Sequence, residues 1–313
     1  MKRIVAVVVV SLFAASAGFA DTIINEKFSA DPLQNGWQIF GDTNLFQWDS
    51  TNQLMDVTWD SSQTNSYFYH PLGRTFTPDD GFCVQFDLNL TDTDATNYFQ
   101  LAIGLCNYTE ATSANFSRAN FTSPDLFEFD YYPDGPDSYG PSIDATLIDA
   151  NSGLYFAFDN SQPMATNTDY RVVLIHPPGT SIITCTVYTN GQVFSWLPAI
   201  DNYGTAGFNL DTLAIMNYTT LDDFYGDSLL AHGTVSHLSF ASPLPIGAIQ
   251  TPAAGQVQFG SDTNWLYTLE QSADFQTWSS AAPTVSGNGT NLMLQATNPP
   301  ADNSFYHVRA DLP

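Results

Sequence analysis

Basic residues are scarce in this chain: seven Lys and Arg stand against 32 Asp and Glu in 313 residues, a formal charge of −25. That balance excludes nucleic acid and anionic membranes as partners, since both are held by basic surfaces. Cysteine is scarce too, and Cys83, Cys106 and Cys185 do not make a disulfide scaffold. No segment beyond the first twenty residues is apolar enough to span a bilayer, and no long segment keeps a helical period. The five histidines (His70, His176, His232, His237, His307) show no zinc spacing. There is no Gly-x-Ser-x-Gly elbow and no Gly-rich loop between a strand and a helix, so the sequence offers neither a serine nucleophile nor a nucleotide site. Aromatic surface, by contrast, is plentiful: 23 Phe, 15 Tyr and 6 Trp supply more apolar area than a disordered chain carries. The length suits one large domain and a small one.

Met1–Ala20 reads as a secretory signal, with Lys2 and Arg3 as the basic start, Ile4 to Ala15 as the apolar run and Gly18-Phe19-Ala20 as the exit. Its removal leaves Lys27, Arg74, Arg118, Arg171 and Arg309 as the basic residues of an exported chain with no transmembrane segment. Short runs of Val, Ile, Thr, Tyr and Phe between Asn, Asp, Gly and Pro clusters predict an all-β sandwich over 21–242. Ser242-Pro243-Leu244-Pro245 and Gln250-Thr251-Pro252 break the pattern, which predicts a linker at 243–252 and a small β module over 253–313.

Two alternating runs, Phe82 to Leu90 and Phe99 to Cys106, look like a hairpin in which Cys83 falls opposite Cys106. A bridge and two free thiols on adjacent strands are both compatible with that register. Cys185 has no evident partner.

In Leu126-Phe127-Glu128-Phe129-Asp130-Tyr131-Tyr132, alternation sends Phe127, Phe129 and Tyr131 to the core and Glu128, Asp130 and Tyr132 to the opposite face. In the expected hairpin, Gln85, Asp87, Asn89 and Gln100 also turn away from the core. Together these seven residues predict a water-facing strip of carboxylates, amides and a phenol that suits sugar hydroxyls. A solvated strand face with no further role is the plain alternative.

The opening Ile23-Ile24-Asn25-Glu26-Lys27-Phe28, the Glu128–Asp130 strand and the closing Ala231-His232-Gly233-Thr234-Val235-Ser236-His237-Leu238-Ser239-Phe240 resemble secreted bacterial concanavalin A-like lectin/glucanase domains. The resemblance implies a curved jelly roll, first and last strands paired, with a concave face that binds sugars. Its laminarinase branch uses Glu-x-Asp-x-Glu, which would place the nucleophile at Glu128 and its helper at Asp130. The acid/base position is Tyr132, however, and the next residue is Pro133. A phenol is a poor general acid beside a carboxyl tuned toward 6. An inverting pairing of Glu128 with Asp130 has a suitable separation, but the two side chains would approach one side of the sugar. The tail, with Tyr267 to Ser272 and Phe305 to Val308, is similar to small C-terminal β modules of exported bacterial proteins.

Asp92, Asp94 and Asn97 in one loop, and Asp222, Asp223 and Asp227 in another, are oxygen-rich but lack the EF-hand spacing. Acidic turns with Asx-type backbone bonds are the favoured explanation of both. The resemblance adds a structural Ca²⁺; no other cofactor is expected. Trp37, Trp48 and Trp59 read as core, and Tyr67 and Tyr69 turn outward if Phe68 turns inward. The leading expectation is an exported, non-catalytic glycan-binding or cell-surface protein. A glycoside hydrolase or polysaccharide lyase acting through Glu128 and Asp130, and a purely structural matrix protein, are the alternatives.

Overall fold

A computed structural model describes residues 22–116, 118, 125–135, 140–149, 153–180, 182–197, 207–221, 226–242, 250–253, 255–273, 278–297 and 305–311, with backbone alone over 153–158. The leader read at 1–20 and residues 243–249 of the expected linker lie outside the described residues. Chain contacts separate Thr22–Ser242 from the segment that begins at Pro243.

The first unit carries β1 (Thr22–Glu26), β2 (Gln38–Phe40), β3 (Phe46–Asp49), β4 (Leu54–Asp60), β5 (Ser66–Phe76), β6 (Phe82–Thr96) and β7 (Leu101–Cys106). A single helical turn, α1 (Tyr108–Ala111), follows. Then come β8 (Leu126–Tyr132), β9 (Ser142–Asp149), β10 (Gly153–Asn160), β11 (Asp169–His176), β12 (Thr184–Thr189), β13 (Gln192–Leu197), β14 (Leu210–Asn217) and β15 (Ser228–Ser242). One sheet runs β13-β12-β11-β6-β15-β4-β3, with β1 also paired to β15; the other runs β10-β9-β8-β7-β14-β5-β2. All these pairings are antiparallel. First and last strands pair, Thr22 opposite Ser242, as the lectin/glucanase resemblance implies. The architecture is an all-β jelly-roll sandwich.

Alternation builds the core. Met55, Val57 and Trp59 on β4, and Phe82, Val84, Phe86, Leu88 and Leu90 on β6, are buried on one side of the first sheet. From β8 the other sheet contributes Phe127 and Phe129, which meet Phe82 and Phe86 edge-on at 5.2 and 5.7 Å. Such T-shaped pairs add to the stabilisation from burial alone. Trp37 and Trp59 are core residues, and the half-buried Trp48 donates its indole N–H to the Phe28 carbonyl.

One expectation fails. β6 and β7 are not a hairpin: β6 lies between β11 and β15 in the first sheet, and β7 between β14 and β8 in the second. The chain changes sheets over 97–100, where Asn97 adopts a left-handed φ of 62°. Cys83 stands opposite Ile175 and Ala241, whereas Cys106 stands opposite Thr212 and Leu126. All three cysteines are free and buried, so the Cys83–Cys106 bridge does not form. The physical reason is that strands stacked across a sandwich alternate just as strands paired edge to edge do. Burial pushes the Cys83 thiol up to about 12.

The second unit is also β: β16 (Gln256–Gly260), β17 (Leu266–Ser272), β18 (Ser279–Ser280), β19 (Val285–Ser286), β20 (Asn291–Gln295) and β21 (Phe305–Asp311). β17 pairs with β18, β19 and β21, and β16 with β20. Val257, Phe259, Trp265, Tyr267, Leu269 and Leu294 form its buried apolar centre. Gln250, inside the expected linker, bridges to Gln258.

Candidate functional site

The seven predicted ligand-binding residues divide between two outward faces. Glu128, Asp130 and Tyr132 lie on the second sheet, with Gln100 just ahead of its strand β7; Gln85, Asp87 and Asn89 lie on the first. Alternation assigned the faces correctly, since Glu128, Asp130 and Tyr132 point away from the core residues Phe127 and Phe129. It did not assign exposure. Glu128 and Asp130 are 1% and 0% exposed, and Gln100 and Tyr132 are buried as well. The part of the expected water-facing strip that Glu128, Asp130, Tyr132 and Gln100 were to form is therefore buried.

A single guanidinium accounts for much of this. Arg118, itself buried, donates from Nε to Glu128 Oε1 (2.9 Å) and from Nη2 to Asp130 Oδ2 (3.2 Å). The Tyr218 hydroxyl donates to Glu128 Oε2 at 2.7 Å, and Thr146 Oγ1 donates to Asp130 Oδ2 at 2.6 Å. Tyr132 stacks on Tyr98 with ring centres 4.0 Å apart. Further along the face, Tyr67 donates to the Ala111 carbonyl of α1, Tyr69 packs on Tyr108, and Phe116 packs edge-on to Tyr218. Residues between β7 and β8 thus lie over the face on which Tyr67 and Tyr69 were expected to be open. The sheet beneath is shaped to fit: a Cβ at Gly104 would lie 2.2 Å from the Phe127 carbonyl and 2.6 Å from Glu128 Cα.

A third carboxyl joins the pair. Asp144 on β9 stands directly opposite Asp130 on β8 and is 2% exposed. Burial, reinforced by neighbouring negative charge, pushes both Asp130 and Asp144 well above the usual carboxylate range. Burial pulls Arg118 down, but Glu128 and Asp130 outweigh it and hold the guanidinium charged. Burial likewise raises the Tyr132 and Tyr218 phenols. Asp130 Oδ1, Asp144 Oδ1 and Gln100 Nε2 are buried without a hydrogen-bond partner.

The other face is open. By register, Trp196, Thr186, Val173 and Gln85 form a row across β13, β12, β11 and β6, with Tyr188, Arg171 and Asp87 in the next row. Trp196 is 61% exposed. Arg171 donates from Nε to Asp87 Oδ1 (2.9 Å) and from Nη2 to Oδ2 (3.4 Å), and His237 Nδ1 lies 2.8 Å from the same Oδ2. His237 occupies a bulge between Ser236 and Ser239 with a left-handed φ of 49°, an unfavourable backbone for a residue with a side chain. Asn89 donates to Asp169 at 2.7 Å. Sequence reasoning missed Arg171, His237 and Trp196, although a scarce Arg on an alternating strand was a usable signal.

Among the described residues, those offered for Ca²⁺ do not assemble. Asp92 and Asp94 extend β6 rather than a loop, and Asp92 is engaged by His232 at 2.7 Å. Asn97 donates to the Gly226 carbonyl. Asp222 and Asp223 lie outside the described residues, which leaves Asp227 alone from that loop. Among the described residues, no group of three or more His, Cys, Asp or Glu is placed to hold a metal ion.

No family model matches the chain, and no curated protein matches its sequence. Solved structures are similar to it in fold. A peanut lectin with a bound peptide is similar over 70% of this chain and 99% of its own, at 9% identity and a TM-score of 0.46. A winged bean acidic lectin complexed with methyl-α-D-galactose is similar over 71% and 98%, at 11% identity and 0.45. An alginate lyase in complex with alginate tetrasaccharide is similar over 71% and 97%, at 9% identity and 0.41. The strand register, not these likenesses, defines the fold.

Proposed function

We propose that the protein is an exported, non-catalytic glycan-binding protein whose binding surface is the open face of the first sheet. The observation that carries this reading is Trp196, a bare indole on the same face as Gln85, Asp87 and Arg171. From β13 to β6 that face spans three inter-strand spacings, about 14 Å. Aromatic rings stack on the apolar faces of sugars while amides and carboxylates take hydroxyls in pairs. The acidic balance of the chain suits neutral or amino sugars better than sulfated or uronic ones. Export rests on the leader read at Met1–Ala20, and among the described residues no helix is long and apolar enough to cross a membrane.

Catalysis through Glu128 and Asp130 is not the reading this geometry favours. Both carboxyls are engaged by Arg118, Glu128 also accepts from Tyr218, and the third position of the strand holds Tyr132 in a stack with Tyr98. The test is a glycan array probed with the whole chain and with Trp196→Ala and Asp87→Asn. Retention on a neutral or amino glycan, lost in Trp196→Ala while circular dichroism is unchanged, is the expected result. Undiminished retention in both variants would remove this face from the proposal, and release of reducing ends from a bound polysaccharide would overturn the non-catalytic reading.

A further inference from the structure

We propose that Asp130 and Asp144 share a proton across the β8–β9 ladder, which makes the second sheet an alkali-sensitive element of the fold. The argument starts from register. The two residues are directly opposed, and side chains so placed on antiparallel strands begin from Cβ atoms about 5 Å apart. Both are buried, and each keeps its Oδ1 without an N–H or O–H donor. A buried carboxylate oxygen with no donor is costly, and two facing each other add repulsion. One proton, bonded to either oxygen and donated to the other, relieves both.

Charge balance points the same way. The groups facing the pair are Glu128 and Tyr132 on β8, Arg118 above, Tyr98 ahead of β7, Tyr218 after β14, and Cys185 on β12 behind the sheet. Tyr67 on β5 and Cys106 on β7 face Glu128. The position paired with Asp144 on β10 is Phe158, which does not titrate. Burial raises every one of these phenols and thiols, so none ionises near neutrality. Arg118 is then the one cation among the described residues facing three carboxyls, and full ionisation would leave two negative charges uncompensated in a dry site. The direction of both carboxyl shifts agrees with protons retained there.

The linkage has a definite sign. A carboxyl whose folded value lies above its unfolded value contributes stability that is complete below about 4 and is lost as pH rises through the folded value. Each proton retained in this way makes the folding equilibrium constant fall up to about tenfold per pH unit across that window. The experiment is urea unfolding of the whole chain between pH 4 and 9, with Asp144→Asn and Glu128→Gln alongside, and infrared detection of protonated carboxyl in the wild type. The shared proton predicts that Asp144→Asn flattens the pH slope more than Glu128→Gln does, the latter removing only the charge and the side-chain hydrogen bond by which Glu128 raises Asp130. It also predicts a protonated-carboxyl band at pH 7 that Asp144→Asn weakens. Parallel pH curves for wild type and Asp144→Asn, or no such band in the wild type at pH 7, would overturn it. Should Asp144→Asn fail to fold, Asp130→Asn takes its place in both measurements.

Discussion

On each outward face of the sandwich an arginine meets an aspartate. Arg118 meets Asp130, with Glu128 beside it, on the second sheet; Arg171 meets Asp87, with His237 beside it, on the first. The first pair is 3% and 0% exposed at its side chains, and the second is 44% and 23% exposed. Identical chemistry therefore serves opposite ends. Where the face is covered, the guanidinium is a structural countercharge and the carboxyls are spent; where it is open, the same groups stay in contact with water and with whatever arrives from it. Strand alternation chooses the face, and whatever packs above chooses the role.

The most damaging way to break this contrast is to deny the covered face its room. Gly104→Val should abolish cooperative folding or cost at least about 3 kcal/mol, because the new side chain begins inside the Phe127 carbonyl and Glu128 backbone. Urea unfolding followed by circular dichroism measures it, and a loss under about 1 kcal/mol would mean that β7 and β8 lie further apart than described.

Next in size is a paired comparison of the two arginines. Arg118→Met leaves two buried carboxyls without their countercharge and should cost about 3–5 kcal/mol. Arg171→Met removes a partly exposed pair, which should cost about 0–1 kcal/mol. Equal losses would erase the distinction between the faces. Trp196→Ala sharpens it from the other side: stability should stay within about 0.5 kcal/mol while glycan retention falls, since an exposed indole contributes little to the core.

Much of the fold was legible in the residues. The runs Phe82 to Leu90 and Leu126 to Tyr132 alternate so regularly that their core sides follow directly, and Phe86 does meet Phe129. Which strands pair was less legible, because β6 and β7 are near neighbours in sequence yet belong to different sheets, and nothing in their alternation records that crossing. The fate of Glu128 and Asp130 was hidden for a different reason: it depends on a residue ten positions earlier, outside any strand. Arg118 is one of only five basic residues beyond the leader, and a lone Arg just ahead of an acidic strand was the signal that the strand had a partner. Trp196 sits in a run whose neighbours Ser195 and Leu197 are buried, so its outward direction needed the register with Thr186.

The smallest expected effect lies in the second unit, where a carboxyl titrates in the opposite sense. Glu270 on β17 accepts from His307 at 2.7 Å and pairs with Arg309. The His307 bond holds Glu270 below the usual carboxylate range, burial opposes it, and the Arg309 charge adds to the lowering. A depressed carboxyl contributes stability that is present above its unfolded value, about 4.3, and is lost as pH falls through the folded value. Asp130 and Asp144, being raised, lose theirs as pH climbs. Native-state hydrogen exchange, corrected for intrinsic rates, should therefore show β17 losing protection below about pH 4 and β8 losing it toward alkaline pH. The change in β17 should be slight, since Arg309 and His307 are half-exposed and screened by solvent. Glu270→Gln should remove it without touching β8; if both strands respond to pH in the same direction, the two carboxyl environments are not the opposites that their contacts describe.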